Sequence, residues 1–537
     1  MKKSIAIFDT TLRDGTQGEG ISLSAEDKFK IARRLDSLGV HYIEGGIPGS
    51  NSKDIEFFRR IKSYSWNARF VAFGSTRRKD SIADQDANLN RIIEAQVPAA
   101  TLVGKAWDFH VHTALQTSLE ENLAMIADSI AYLKQHQLEV MLDAEHFFDG
   151  FKHNSEYALQ VLRTAANAGA DWVVLCDTNG GTLPHEIHQI VSAAVEGTQV
   201  KIGIHTHNDC ELAVANSLAA VQAGALQVQG TMNGYGERCG NANLCSIIPN
   251  LQLKLDYDCI ANDKLQQLTS VARYISEIAN VHMPVNQPYV GNASFAHKGG
   301  IHVSAILKDS RTYEHIQPEL VGNKQRVLVS ELAGQSNVLS KAQQLGYELD
   351  AGKPATKAII DRIKQLEHEG YQFEGADASL ELMLRQAIGN EQEPFQFESF
   401  KILVEKSNNR PVVSEAIVKI NIDNESIYMA AEGNGPVNAL DNALRKALSR
   451  HYPGIEDMHL TDYKVRVLDE SDTTAAKVRV LIESTDFKHT WSTVGVSQNV
   501  IEASWEALVD SIRYALYGKE KQHQTNERKE SLGIVNH

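Results

Sequence analysis

Up to about residue 250, short β-branched apolar runs alternate with longer amphipathic stretches about eight times. The short runs lie at 4–9, 40–47, 69–74, 99–104, 139–143, 172–177, 201–206 and 226–231, each of strand length. Between them, Ser24–Leu38, Ser118–Gln135, Tyr157–Ala168 and Pro184–Glu196 place apolar residues at helical spacing. Two of these stretches open on a predicted capping box, Ser24-x-x-Asp27 and Ser118-x-x-Glu121, in which side chain and backbone satisfy each other's orphan donors. Eight strand–helix units predict an α/β fold, a closed (β/α)8 TIM barrel over residues 1–260, and about 250 residues is that fold's ordinary size. A doubly wound open sheet is the rival, but no G-x-G-x-x-G follows the first strand.

Residues 261–395 read as a mostly helical subdomain. Within it, Gly299-Gly300 before His302 predicts a sharp turn presenting that histidine, with Tyr313 a short way on. The stretch Pro354–Gly370 reads as a charged scaffold helix. From 396 to 518 the pattern becomes strands followed by a helix, twice, and Ala431–Leu444 lines up with Gly495–Leu508. A doubled unit of this kind predicts a pseudo-symmetric α+β domain, suited to dimerisation or to holding a ligand between its copies. The charged, polar tail, 519–537, is expected to be disordered.

Bulk properties narrow the function. Of 537 residues, 42% are hydrophobic and 23% charged, as in an ordinary globular protein. A formal net charge of −15 argues against nucleic-acid or anionic-membrane partners, although a local cation still permits an anionic substrate. Five cysteines, odd in number and without a C-x-x-C, argue against a disulfide framework, and the N-terminus lacks the apolar core of a signal peptide. No apolar stretch approaches the ~20 residues of a membrane span, so a cytoplasmic location is expected.

Active sites of such barrels lie at the C-terminal ends of the strands. The polar residues expected there are Arg13 and Asp14 after strand one, Glu44 on two, Lys105 after four, Glu145 on five, and Asp177-Thr178-Asn179 at six. Strand seven supplies His205 and His207, and Gly234–Asn241 follows strand eight. Taken singly, each reads as a loop cap or an ion pair; together they describe a polar, metal-capable funnel. In a strand, residues i and i+2 share a side, so His205 and His207 can address one point. With Asp14 they make a divalent-metal site with open positions for a substrate.

Three motifs carry a family resemblance. Phe8-Asp9-Thr10-Thr11-Leu12-Arg13-Asp14-Gly15, Gly203-Ile204-His205-Thr206-His207-Asn208-Asp209 and Asn233-Gly234-Tyr235-Gly236-Glu237-Arg238-Cys239-Gly240-Asn241 resemble the signatures of the Claisen-condensing DRE-TIM metallolyases. The C-terminal region resembles the regulatory domain of 2-isopropylmalate synthases, and Asp143–Lys152 and Gly299–Ile306 resemble the citramalate synthase branch. The resemblance implies a divalent metal ion (Mg, Mn or Zn) on Asp14, His205 and His207, with Asn241 as a further ligand or neighbour. It implies Arg13 as the substrate-orienting arginine, Glu145 as the pocket glutamate, Thr178 as the carboxylate-binding threonine, and His302 and Tyr313 as helpers from beyond the barrel. The implied substrates are acetyl-CoA and pyruvate, the implied assembly is a homodimer with shared active sites, and the implied effector is isoleucine. For the effector, Gly433, Gly435 and Gly495 are expected to place backbone N–H groups at helix starts, which bind carboxylates. Phe147 and Phe148 are expected to narrow the pocket around the keto acid's side chain, and Gly234–Gly240 to admit CoA closely. The nearest alternative is 2-isopropylmalate synthase; the strand–helix alternation argues against a non-haem iron oxygenase, the place of His-x-His on strand seven against a barrel hydrolase, and the intact ligand set against a non-enzymatic amino-acid sensor with a relic barrel.

Overall fold

The computed structural model describes residues 2–329, 335–344, 347, 349, 354–388, 393–408, 411–468, 476–486 and 489–531. Two compact units result, one of Met1–Phe295 with His315–Gln325, the other of Ala296–Glu314 with Arg326–His537.

The first unit is a closed parallel barrel of β1 (Ala6–Asp9), β2 (Tyr42–Gly46), β3 (Arg69–Ser75), β4 (Ala99–Lys105), β5 (Glu139–Glu145), β6 (Trp172–Asp177), β7 (Lys201–Thr206) and β8 (Gln227–Gly230). β1 pairs with β8, which closes the sheet and removes the open-sheet rival. The strands read as nearly continuous apolar runs because both faces are buried. Ile7, Ile43, Leu102, Leu142, Leu175 and Ile204 face the surrounding helices in one large core, while Phe8, Tyr42, Val71, Ala99, Met141 and Trp172 fill the barrel's interior.

The interior set then changes character toward the C-terminal strand ends. Stepping by two from Met141 gives Asp143 and Glu145; from Ala99, Thr101, Val103 and Lys105; from Gly203, His205 and His207. Period-two alternation alone therefore turns an apolar plug at one end into a polar funnel at the other.

The helix Ala25–Leu38 begins with the complete Ser24–Asp27 capping box. At Leu119–Gln135 only half of the expected box forms: Ser118 accepts from the Glu121 N–H, but the Glu121 carboxylate is drawn to Arg77 at 2.7 Å. Residues 261–295, expected in the helical subdomain, pack into the barrel unit through Leu268, Val271, Ile275 and Phe295.

In the second unit, β9 (Ala296–His297) and β10 (Arg326–Val327) form a short parallel pair. Gly299 and Gly300 cap and begin the helix Gly300–Ile306, and Gly299 has φ −67, so the pair starts a helix rather than turning through left-handed backbone. The charged helix appears at Pro354–Glu369. The doubled pattern is two antiparallel three-stranded sheets, β11 (Gln396–Glu405), β12 (Val413–Ile422), β13 (Glu425–Gly433) and β14 (His459–Val467), β15 (Val478–Thr485), β16 (Thr490–Ser497), each followed by a helix, Pro436–Leu448 and Val500–Ser531. Alternate β12 residues Ala416, Val418 and Ile420 meet Leu440 and Leu444 in a core that continues through Val480, Ile482 and Leu508. The last helix extends past Lys519, where the sequence pattern predicts a tail; 532–537 lie outside the described residues. Among the described residues, no helix is long and apolar enough to cross a membrane.

The expectation for the glycines needs correction. Gly495 lies inside β16, opposite Val480, and a Cβ there would stand 2.1 Å from the Ala503 carbonyl. Gly433 ends β13, where a Cβ would meet the Ala439 nitrogen at 2.4 Å. Both let a helix lie directly on a strand, and neither stands at a helix start. The second helix start is capped internally, Asn499 donating its N–H to Ser497 Oγ and accepting from the Ile501 N–H at 2.9 Å. Gly435 is the N-cap of Pro436–Leu448, as expected.

Candidate active site

Asp14 follows β1 at the start of a single 3-10 turn, Gly15–Gln17. His205 sits on β7 and His207 just beyond it, both pointing into the barrel mouth. One ligand atom from each of the three lies within 4.8 Å of the others, and all three side chains are buried. His205 Nε2 stands 3.3 Å from both Asp14 Oδ2 and His207 Nε2.

Asn241 completes this group because its loop folds back on β7. His207 and Asn241 form a β-bridge, Ala242 donates to the Thr206 carbonyl at 3.0 Å, and Asn208 donates to the Gly240 carbonyl at 2.8 Å. The glycines expected to admit CoA serve this fold-back: a Cβ at Gly236 would collide with Asn241 Oδ1, and one at Gly240 with the Gly234 carbonyl, each at 2.1 Å. Both have left-handed φ, 156 and 90. The Asn241 amide nitrogen donates to Asp14 at 2.6 Å and leaves its oxygen buried without a partner among the described residues. Rotating the amide turns that oxygen toward the imidazoles, giving two oxygens and two nitrogens around one point, a donor set suited to a divalent metal ion.

The surrounding charge also favours a cation. Arg13 Nε donates to Glu44 Oε2 at 2.6 Å, its Nη1 lies 3.2 Å from Asp14, and the guanidinium covers the Phe73 ring at 3.9 Å. Burial opposes the charge on Arg13, but Asp14 and Glu44 outweigh it and hold the guanidinium firmly protonated. Burial likewise opposes ionisation of Asp14, yet Arg13 and His205 keep it well below the usual carboxylate range. Burial, with Asp143 adding, pushes Glu44 up to about 7; Asp143 itself is pushed up to about 6, mainly by burial. His207 is pushed down to about 4 by burial and then by His205. Three buried carboxyl groups around one guanidinium leave an acidic site that a divalent ion would neutralise.

Arg13, Asp14, Asp143, His205 and His207 line a cavity of about 260 Å³ with Glu145, Thr178, Phe73, Val103 and Cys176. Glu145 pairs with Lys105 across the β4–β5 edge, and Thr178 Oγ1 accepts from the His146 N–H at 2.9 Å. Arg238 spans the rim, gripping Asp209 through two nitrogens at 2.8 and 3.0 Å and the Thr178 carbonyl at 2.7 Å. Arg13, Asp14, Glu145, Thr178, His205, His207 and Asn241 are thus gathered at one barrel end. His302 and Tyr313 belong to the second unit, where their exposed rings face each other at 4.2 Å.

Phe147 and Phe148 do not reach the cavity. Both are fully buried among the core residues behind β5, because left-handed His146, at φ 56, ends the strand's alternation and starts the helix Phe147–His153, which packs outside the barrel. Phe73 and Val103 supply the apolar wall instead. Asp143 and Gln229 also reach the site, although neither is among the strand-end candidates; their polar side chains at inward-facing positions of β5 and β8 are the signal the sequence carries for them.

Three family descriptions match the chain: HMGL-like over residues 4–275, homocitrate synthase post-HMGL domain-like over 289–371, and LeuA allosteric (dimerisation) domain over 374–516. The chain is 55% identical to the (R)-citramalate synthase of Aquifex aeolicus, over 97% of this chain and 99% of that one. It is 53% identical to the (R)-citramalate synthase of Geobacter sulfurreducens, over 96% and 98%. The 2-isopropylmalate synthase of Methanocaldococcus jannaschii is 33% identical over 96% of each chain.

Proposed function

The chain belongs to the (R)-citramalate synthase family, and from that premise we propose that it condenses acetyl-CoA with pyruvate and hydrolyses the thioester, releasing (R)-citramalate and CoA. The observation carrying this reading is the convergence of Asp14, His205 and His207 beside Arg13 in one small cavity. These ligands and Asn241 would hold a divalent cation, which supplies Lewis acidity for the keto group.

Each neighbouring side chain then has a task. Arg13, held by Glu44 and Asp14, donates to the keto oxygen as it becomes an alkoxide, where charge develops. Thr178 holds the pyruvate carboxylate, its hydroxyl already fixed by the His146 N–H. A base removes a proton from the acetyl methyl, the resulting carbon attacks the keto carbon, and the alkoxide takes up a proton. His302 and Glu145 are the two candidate bases; Glu145 is engaged by Lys105, which leaves His302 freer, with Tyr313 orienting its ring. Water then attacks the thioester carbonyl and CoA leaves as the thiol.

His302 and Tyr313 are exposed on the second unit, which supports a homodimer in which each chain lends them to its partner's barrel. Isoleucine is the proposed inhibitor, acting through residues 396–518, where Gly435 opens a helix whose first N–H groups suit a carboxylate. The deciding assay compares CoA release from acetyl-CoA with pyruvate, 2-oxobutyrate, 2-oxoisovalerate and 2-oxoglutarate. Preference for pyruvate is expected, and preference for 2-oxoisovalerate would move the chain to the isopropylmalate activity. Turnover that persists at millimolar isoleucine, with no heat of binding, would remove the effector.

A further inference from the structure

We propose that Asp143 and Gln229 form a relay that locks the His205 ring in its Nδ1–H tautomer and aims the Nε2 lone pair at the metal position. The two residues lie on β5 and β8, which are not neighbours in the barrel; their inward side chains meet across its interior. Gln229 Oε1 lies 2.9 Å from His205 Nδ1, and Gln229 Nε2 donates to Asp143 Oδ1 at 3.2 Å. An amide oxygen only accepts, so the proton of this contact belongs to His205 Nδ1. A carboxylate likewise only accepts, so Asp143 fixes which end of the Gln229 amide faces the histidine. All three side chains are almost wholly buried, Gln229 completely, so both contacts are made inside the barrel.

The arrangement is specific to one ligand. His205 Nε2 is the atom nearest both Asp14 and His207, whereas His207 Nδ1 has no hydrogen-bond partner among the described residues. The neutral amide also matters. Asp14, Glu44 and Asp143 already crowd the site, and glutamine passes a hydrogen bond along without adding a fourth carboxylate. Gln229 and Asp143 are positioning residues: they act through His205 and touch no reacting atom.

This inference rests on the metal reading above, and the test separates the two. Full-length protein is stripped of metal, and Co²⁺ affinity is measured by chelator competition and by the visible spectrum of the bound ion. Loss of a metal ligand's hydrogen-bond partner weakens affinity about 10–100-fold. Gln229→Leu should show that loss while the thermal unfolding of the metal-free protein changes little. The double exchange Gln229→Glu with Asp143→Asn reverses donor and acceptor between the two residues but keeps an acceptor on His205. It should restore affinity to within about threefold of the parent, well inside the 10–100-fold loss. Asp143→Leu frees the Gln229 amide to turn and should give an intermediate loss; it decides the matter if Gln229→Leu fails to fold. Unchanged Co²⁺ affinity in the Leu variants, or a double exchange as weak as Gln229→Leu, overturns the relay. A parent protein that binds no Co²⁺ instead overturns the metal reading itself.

Discussion

Substrate choice should turn on Val103. Its side chain is partly exposed to a cavity of about 260 Å³, on the strand next to the one that carries Phe73, and lines it with the groups proposed to bind pyruvate. 2-Oxobutyrate carries one methylene more than pyruvate and 2-oxoisovalerate two more carbons. One methylene against an apolar wall is worth about 1–3 kcal/mol, or about 10–200-fold in specificity. Val103→Ala removes two carbons from that wall, enough to admit the extra methylene, so most of the discrimination against 2-oxobutyrate should disappear. The loss in stability should stay small, because Val103 faces an opening rather than the packed core. Phe148→Leu is the control: Phe148 is fully buried behind β5, so its truncation should cost about 1–2 kcal/mol of stability and leave specificity alone. The assay is kcat/KM for the three keto acids, followed by CoA release, with thermal melts of each variant. A 2-oxobutyrate-to-pyruvate ratio unmoved by Val103→Ala, or moved more by Phe148→Leu, refutes this assignment of the wall.

Asp14→Asn should abolish both Co²⁺ binding and turnover, and a chelator should inactivate the parent reversibly; a metal-free protein with full turnover would contradict the site. Mixing inactive His302→Ala with inactive Arg13→Ala under subunit exchange should restore part of the activity, whereas hybrid dimers without recovery would place His302 in its own chain's site. Burial pushes Asp9 from 3.8 up to about 7, so the folded chain holds a proton there that the unfolded chain has lost. Its contribution to stability is full below pH 4 and is lost as pH rises through 7, which amounts to about 3 kcal/mol between pH 5 and 8. Urea melts of Asp9→Asn should therefore show a flatter pH dependence over that window, and an unchanged slope would rule Asp9 out as the source. Gly495→Ala drives a Cβ into the Ala503 carbonyl and should destabilise the second unit by about 1–3 kcal/mol or more without altering keto-acid preference, read from melts and initial rates.

Much of this was legible in the chain. Strand periodicity placed all eight barrel strands within a few residues of their ends, because a strand buried on both faces must be apolar almost throughout. Placement at strand ends then singled out Asp14, His205, His207, Glu145 and Thr178, since a barrel directs those positions to one mouth. Contacts between non-adjacent strands were not legible. Gln229 and Asp143 are 86 residues apart and meet only because the sheet closes, so neither strand's pattern records the other. Asn241 reaches the ligands only through a loop that folds back on β7. Phe147 and Phe148 resembled pocket residues by sequence position, but the turn after β5 sends them outward, and Phe73 and Val103 form the wall. The glycines resolve in the same way: their spacing marked two related turns, while the helix lying 2.1 Å from the space above Gly495 decides that glycine there is a packing requirement. Local pattern is written residue by residue along the chain, whereas the space each side chain meets is set by segments far away in sequence.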